Sequence, residues 1–256
     1  MGHLVGEGVF ASPAPDTYAL TDESHALFSP FLDLGGIGGR MAHAWSTLET
    51  YVRTGRSGYA ERFGVGWWED LAANPALGAE FDELMGVAGH GTPDPWFSLA
   101  DGWDDVRWVV DVGGGTGAML RALLEARPGL RGTLVDLPGT VERAAGDFET
   151  VGQSFFDPLP AGADLYLLKS VLNDWPDAET DLILQRVAEA GGHAVVIGGV
   201  APDDAPRRLD IEMVLLGGRT DSLSAFRARA AHAGLAVVAT STQTGGRFVV
   251  EVRRGV

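Results

Sequence analysis

Ten residues, Trp108 to Gly117, read W-V-V-D-V-G-G-G-T-G and constrain the fold more than any other stretch. Trp108, Val109 and Val110 are β-formers leading into Asp111, Val112 and a glycine cluster. An apolar-periodic run follows, with Ala118, Met119, Leu120, Ala122, Leu123 and Leu124. This is a buried strand, a tight glycine turn and a helix, the unit in which backbone approaches a ligand too closely for any Cβ. A second strand, Gly132 to Val135, ends in Asp136, 19 residues past Gly117. An acid at that offset hydrogen-bonds ribose hydroxyls in nucleotide-binding βαβ units. A glycine turn alone marks only a tight turn. Strand, glycines, helix, strand and acid in that order point to a nucleoside-bearing cofactor.

From Trp108 onward strands and helices alternate. Further strands are predicted at Thr150–Gln153, Leu165–Leu168, Ala194–Ile197, Leu235–Ala239 and Phe248–Val252. Helices are predicted at Met119–Ala126, Val141–Ala145, Ala178–Glu189 and Leu223–Ala233, the last with Ser222 as N-cap and Gly234 at its end. Gly245-Gly246 separates the last two strands at a hairpin distance. The pattern predicts an α/β fold with a mostly parallel, Rossmann-like sheet and one antiparallel strand near its edge, where a dehydrogenase would continue with further βα units.

The front of the chain differs in character. Leu4 to Phe10 reads as a helix end, Ser12 to Pro15 as a turn and Tyr18 to Thr21 as a short strand. Helices are predicted at Leu48–Val52 and Ala60–Asp70. Phe63, Trp67 and Trp68 then share a helix face, either as ordinary helix packing or as a lid over an aromatic substrate. The boundary is set near residue 95, giving a mainly helical segment 1–95 and a cofactor-binding catalytic domain 96–256.

Net charge is −16, and the first hundred residues carry thirteen acidic against four basic side chains. Such a surface repels phosphate backbones, so no nucleic-acid partner is expected. No apolar run nears the ~20 residues of a membrane span and no signal sequence opens the chain, so a cytoplasmic protein without a membrane partner is expected. Cysteine is absent, which excludes disulfides and thiolate chemistry, and the six histidines lack ligand spacing, so no metal site is expected. Eighteen arginines stand beside a single lysine, Lys169, which either reflects drift or keeps one ammonium for a purpose.

Taken together, V-V-D-V-G-G-G-T-G (109–117), L-V-D-L-P (134–138), S-F-F-D-P-L-P (154–160), L-L-K-S-V-L-N-D-W-P-D (167–177) and G-G-R-x-x-S-L-x-x-F (217–226) carry a resemblance. The chain resembles the bacterial small-molecule O-methyltransferases, relatives of the plant caffeate-type and acetylserotonin-type enzymes. The resemblance implies S-adenosyl-L-methionine as cofactor and a phenolic or hydroxylated secondary metabolite as substrate. It implies cofactor contacts from Asp111, Gly113, Gly115 and Gly117 in the first βα unit and ribose binding by Asp136. It implies packing on adenine by Leu137, adenine holding by Ser154 and Phe155, a cofactor-side cation in Lys169, and an adenine wall in Trp175.

Three departures from the family accompany these matches. Where many members carry H-D-W with a histidine base, this chain has Asn173-Asp174-Trp175. Asparagine orients a hydroxyl but takes no proton. Met1 falls where the last helix of the family's winged-helix-like N-terminal unit would be finishing, so a truncated N-terminal region and at most a weak homodimer are expected. The segment from Val141 to Thr150 is shorter than usual. A general base contributes ~10²–10⁴-fold, whereas positioning two reactants supplies about 7–11 kcal/mol, so methyl transfer by orientation survives loss of the histidine. Alternative bases are His90, in G-H-G-T-P-D (89–94), and Glu212 ahead of the G-G-R segment. Two other readings stand beside the methyltransferase: a cofactor-binding relative with non-methylating chemistry, and a truncated non-catalytic homologue.

Overall fold

The computed structural model describes residues 1–29, 32–85, 92–206 and 217–255. The Val-, Ile- and Leu-rich runs after residue 107 form a seven-stranded sheet. Its strands are β1 (Trp108–Val112), β2 (Arg131–Asp136), β3 (Glu149–Gly152), β4 (Leu165–Lys169), β5 (His193–Ile197), β6 (Leu235–Thr242) and β7 (Phe248–Arg254). They lie in the order β3-β2-β1-β4-β5-β7-β6. Only β7 is antiparallel to its neighbours, β5 and β6. This is the mostly parallel class I methyltransferase sheet, with its reversed strand next to the edge.

Both faces of the sheet are covered, which is why its strands read as continuous apolar runs. Leu165, Tyr166, Leu167 and Leu168 of β4 are fully buried. Helix α6 (Ala118–Ala126) sends Met119 and Leu123 to one face, joined there by Phe97, Leu99 and Val106 of the preceding connection. Helices α7 (Asp177–Ala190) and α8 (Leu223–His232) cover the other face with Ile183, Leu184, Val187, Phe226 and Ala230. Asp111 stands opposite Leu134 of β2 and Leu167 of β4. The C-terminal ends of these three strands therefore meet where the strand order changes direction, the usual place for a ligand in such sheets.

Between residues 37 and 85 the described residues form five short α-helices: α1 (Ile37–Ala44), α2 (Leu48–Thr54), α3 (Tyr59–Phe63), α4 (Trp67–Ala73) and α5 (Pro75–Met85). They share a core of Ile37, Ala44, Tyr59, Trp67, Leu71 and Leu84. A buried polar knot pins it, in which Asp70 accepts from Tyr59 Oη (2.5 Å) and Asn74 Nδ2 (2.7 Å) and pairs with Arg40 (3.1 Å). Among the described residues no helix is long and apolar enough to cross a membrane.

Three expectations for local structure need correction. The single helix over 60–70 is two, because Gly64 takes φ +80° and Gly66 restarts the chain as a cap whose N–H is accepted by Glu69. No helix spans Val141–Ala145. A single turn, Pro138–Val141, begins at the proline and stops. Beyond it the chain bends at Gly146 to bring the Phe148 ring against Gly117, and a Cβ on either glycine would overlap that ring. Finally, the helix at the start covers Gly2–Gly6 only, and Phe10–Ala11 instead pairs antiparallel with Ala19–Leu20.

Candidate active site

At the end of β1 the chain turns through Gly113, Gly115 and Gly117, with φ of +66°, +62° and +82°. These are left-handed conformations that a side chain disfavours by roughly 1–2 kcal/mol each. A Cβ on Gly113 would sit 2.9 Å from Val171 and 3.2 Å from the Phe155 ring. One on Gly114 would lie 2.4 Å from Asp111 Oδ2. Above Gly115, by contrast, nothing lies within 4 Å. The turn is thus pressed onto the protein from below and bare above Gly115, which gives a backbone cradle.

Two carboxylates underlie this cradle. Asp136, at the tip of β2, accepts the N–H groups of Gly115 (2.8 Å) and Leu137 (2.7 Å). Burial pushes its pKa up to about 6, opposed by those two N–H groups. Asp111 is fully buried, and neither of its oxygens has a hydrogen-bond partner of good geometry; the Leu120 N–H only offsets part of the desolvation. Burial raises it to about 7, while Lys169 pulls it down and Asp136 pushes it up. Lys169 ends β4 half-buried, and burial and then Arg247 lower its own pKa. An unpartnered buried carboxylate, an acid with free lone pairs and a bare glycine turn fit a cationic, ribose-bearing cofactor.

An aromatic wall stands beside the cradle. The rings of Phe155, Phe156 and Trp175 meet edge to face, at centroid distances of 5.0 Å, 5.7 Å and 4.8 Å. Ser154 opens this segment, its Oγ accepting the Phe156 N–H at 3.2 Å. Trp68, from α4, stacks on Trp175 at 5.6 Å and 22°. Asp82, on α5, pairs with Arg143 beyond β2 and accepts from Thr140 at 3.4 Å. The helical segment therefore reaches the cofactor side of the sheet at two points.

Asn173 lies on a short 3₁₀ turn, Leu172–Asp174, just after β4. Its Nδ2 donates to Asp174 Oδ1 at 2.6 Å, which fixes the amide orientation because a carboxylate only accepts. Its Oδ1 is buried without a hydrogen-bond partner. The glycines of the G-G-R segment explain how this corner is locked. A Cβ on Gly218 would lie 2.0 Å from the Asn173 carbonyl oxygen, and Gly217 takes φ +111°. Arg219 then ties that segment to Asp177 (2.6 Å) and Asp221 (3.2 Å), and Arg229 joins Asp221 at 2.9 Å.

Asp111, Gly113, Gly115, Gly117, Asp136, Leu137, Phe155, Lys169 and Trp175 gather at the ends of β1, β2 and β4, with Ser154 at the head of the aromatic segment and Asn173 beside them. The candidate bases His90 and Glu212 lie outside the described residues. Four contributors escaped sequence reading: Trp68 as a partner of Trp175, the Asp82–Arg143 pair, Phe148 against Gly117, and Arg247 on Ser170. Only Trp68 carried a signal, its place beside Phe63 and Trp67.

Comparison with known proteins agrees with this geometry. The sequence profile of the O-methyltransferase domain matches residues 45–235. The chain is 39% identical over 258 residues to 2,7-dihydroxy-5-methyl-1-naphthoate 7-O-methyltransferase of Streptomyces carzinostaticus, covering 92% of this chain and 77% of that protein. It is 38% identical over 242 residues to aclacinomycin 10-hydroxylase RdmB of Streptomyces purpurascens, covering 87% of this chain and 64% of the relative. Among solved structures, the O-methyltransferase NcsB1 from neocarzinostatin biosynthesis superposes with TM-score 0.81 at 35% identity, covering 99% of this chain and 83% of its own. That structure holds S-adenosylmethionine and 2-hydroxy-5-methyl naphthoic acid. Another of the same protein holds S-adenosyl-L-homocysteine and 1,4-dihydroxy-2-naphthoic acid. A profile matched over most of the chain and a shared sheet carrying an open glycine cradle place this protein in the O-methyltransferase domain family, enzymes that take S-adenosylmethionine as cofactor.

Proposed function

We propose that this chain methylates a phenolic hydroxyl of an aromatic natural-product acid, and that Asn173 orients that hydroxyl where many relatives use a histidine base. The observation that carries the reading is the buried Asn173 Oδ1 without a partner, next to an Nδ2 already bound to Asp174. A free acceptor suits a hydroxyl donor. It turns the oxygen's lone pair toward the cofactor but cannot remove the proton, which leaves to water. S-adenosylmethionine, when bound, supplies an electrophilic methyl on a cationic sulfur. Asp136 would accept the ribose hydroxyls, and Asp111 with Lys169 would set the charge beneath the Gly113–Gly117 turn. Phe155 and Trp175 would wall the adenine. Orientation alone contributes about 7–11 kcal/mol, more than the ~10²–10⁴-fold of a base.

The helical segment 1–95 reads as the cover of this site. Its Trp68–Trp175 stack and Asp82–Arg143 pair support that reading. Tyr18, Leu20, Leu27, Phe28, Leu32 and Leu34 are exposed within it, apolar side chains that suit a weak homodimer. The relative named as a hydroxylase favours one second reading, a cofactor-binding enzyme that adds oxygen. Mass spectrometry of hydroxynaphthoic acids incubated with S-adenosylmethionine tests both readings. Methyl transfer adds one CH₂ to the product mass, a hydroxylase adds one oxygen, and an unchanged mass throughout a panel of phenolic acids overturns the proposal.

A further inference from the structure

Two cations crowd the C-terminal edge of the sheet where only one has been given work. Lys169 ends β4, and Arg247 sits in the turn between β6 and β7. In a chain of net charge −16, neither makes an ion pair among the described residues. Arg247 instead donates to Ser170 Oγ at 2.9 Å. Ser170 holds a left-handed φ of +56°, and its own N–H is bound to Ile197 O at 2.9 Å. The guanidinium is half-buried and fixed, and it opposes the neighbouring ammonium; the anion acting on Lys169 is the buried Asp111.

The floor between this cation and Asn173 carries no side chain. Gly198 and Gly199 take φ of +77° and +76°. A Cβ on Gly198 would lie 3.7 Å from Ser170 Oγ and 3.9 Å from Arg247 Nη1. One on the next residue, Gly199, would press on Asn173, 3.0 Å from its N and 3.4 Å from its Oδ1. A fixed cation and a free acceptor thus flank one glycine pair. A hydroxylated aromatic acid carries both complements, a carboxylate for the guanidinium and a hydroxyl for the amide oxygen. We propose that Arg247, seated on Ser170, recognises the carboxylate of the substrate and so selects aromatic hydroxy acids over neutral phenols. The inference rests on the phenolic methyl-transfer reading for its choice of substrate class.

Calorimetry on protein saturated with S-adenosyl-L-homocysteine tests it, comparing 1,4-dihydroxy-2-naphthoic acid with the naphthalenediol that lacks the carboxyl group. Wild type prefers the acid, and Arg247→Gln loses roughly tenfold to a hundredfold of that acid-over-diol preference, the worth of one charged hydrogen bond. Arg247→Lys keeps part of it. An unchanged preference in Arg247→Gln, no preference in wild type, or equal loss of acid and diol in both variants overturns the proposal; the last would leave Arg247 only to hold Ser170. The cofactor's own carboxylate is the competing source. If Arg247→Gln weakens S-adenosyl-L-homocysteine tenfold but not 5′-methylthioadenosine, which lacks that carboxylate, the substrate assignment falls. Wild type that binds the acid preferentially yet methylates no phenol keeps this subsite and refutes the methyl-transfer reading instead.

Discussion

The two sides of the cleft are built by different means. On the cofactor side, backbone does the work: three left-handed glycines, two N–H groups on Asp136 and strand ends in register. On the side proposed for the substrate, single side chains do it: the Asn173 Oδ1 acceptor and the Arg247 guanidinium on Ser170. Backbone geometry tolerates few substitutions and fixes a ligand shared by a whole family. Side chains can change one at a time, which leaves room for the proposed use of Asn173 in place of a histidine on the same sheet.

The sharpest way to break this contrast is Gly113→Val. A β-branched residue would have to hold φ near +66° and meet Val171 and Phe155. Cofactor affinity should fall at least about a hundredfold, since a loss near 3 kcal/mol corresponds to that factor. Calorimetry with S-adenosyl-L-homocysteine measures it. An affinity near that of wild type would mean that the turn is not a close-approach surface.

Asp136→Ala comes next. Losing the charged acceptor proposed for the ribose costs about 1.5–3 kcal/mol per hydrogen bond, so affinity should drop by tens to hundreds for each hydroxyl left unpaired. The same residue sets a pH dependence. With a pKa near 6 in the cofactor-free protein, Asp136 is ionised above that pH and protonated below it. Affinity should therefore be full above about pH 7 and lost as pH falls through about 6, and the loss should be absent in Asp136→Ala. Stability of the cofactor-free protein should run the other way. The folded state keeps protons on Asp111 and Asp136 that the unfolded chain releases near pH 4, so stability falls as pH rises toward about 7. Denaturant titrations at intervals from pH 4 to 8 read that slope. A rise in stability across this window contradicts the buried carboxylates.

How much of this was legible follows the same division. The sheet could be read from Trp108 onward because a glycine turn, an acid at the next strand tip and a Gly245-Gly246 hairpin are local signals, each dictated by backbone. Of the positions gathered at the strand ends, the glycines and Asp136 came from the same signals, whereas Leu137, Ser154, Phe155, Trp175 and the cofactor role of Lys169 came from the family resemblance. The Trp68–Trp175 stack could not be read, because it joins residues more than a hundred apart in the chain and depends on how separate helices pack. The break at Gly64 was missed for a simpler reason: a helical apolar spacing continues across it, and the restart at Gly66 depends on the Glu69 cap. The Val141–Ala145 helix failed on Phe148, whose ring needs the space above Gly117.

Trp68→Ala carries the smallest expected effect. The stack on Trp175 is worth about 0.5–1.5 kcal/mol beyond burial, and the edge contact with Phe81 at 5.4 Å is lost with it. Because Trp68 stacks on Trp175, the proposed adenine wall, the affinity for S-adenosyl-L-homocysteine should fall several-fold while KM for the phenol changes by less than about twofold. Equal changes in both would merge the two sides of the cleft and cancel the contrast between them.

The central claim is that Asn173 orients a hydroxyl and does not take its proton, and a pH–rate profile on one accepted phenol reads it directly. Wild-type methylation should climb with pH toward the ionisation of the substrate, near 10 for a simple phenol. Asn173→His should raise the rate near neutrality, by a factor toward the low end of ~10²–10⁴, and flatten the profile. A wild-type profile already flat through neutrality, or an Asn173→His profile that matches wild type with cofactor affinity intact, would contradict the account and place the reacting hydroxyl away from position 173.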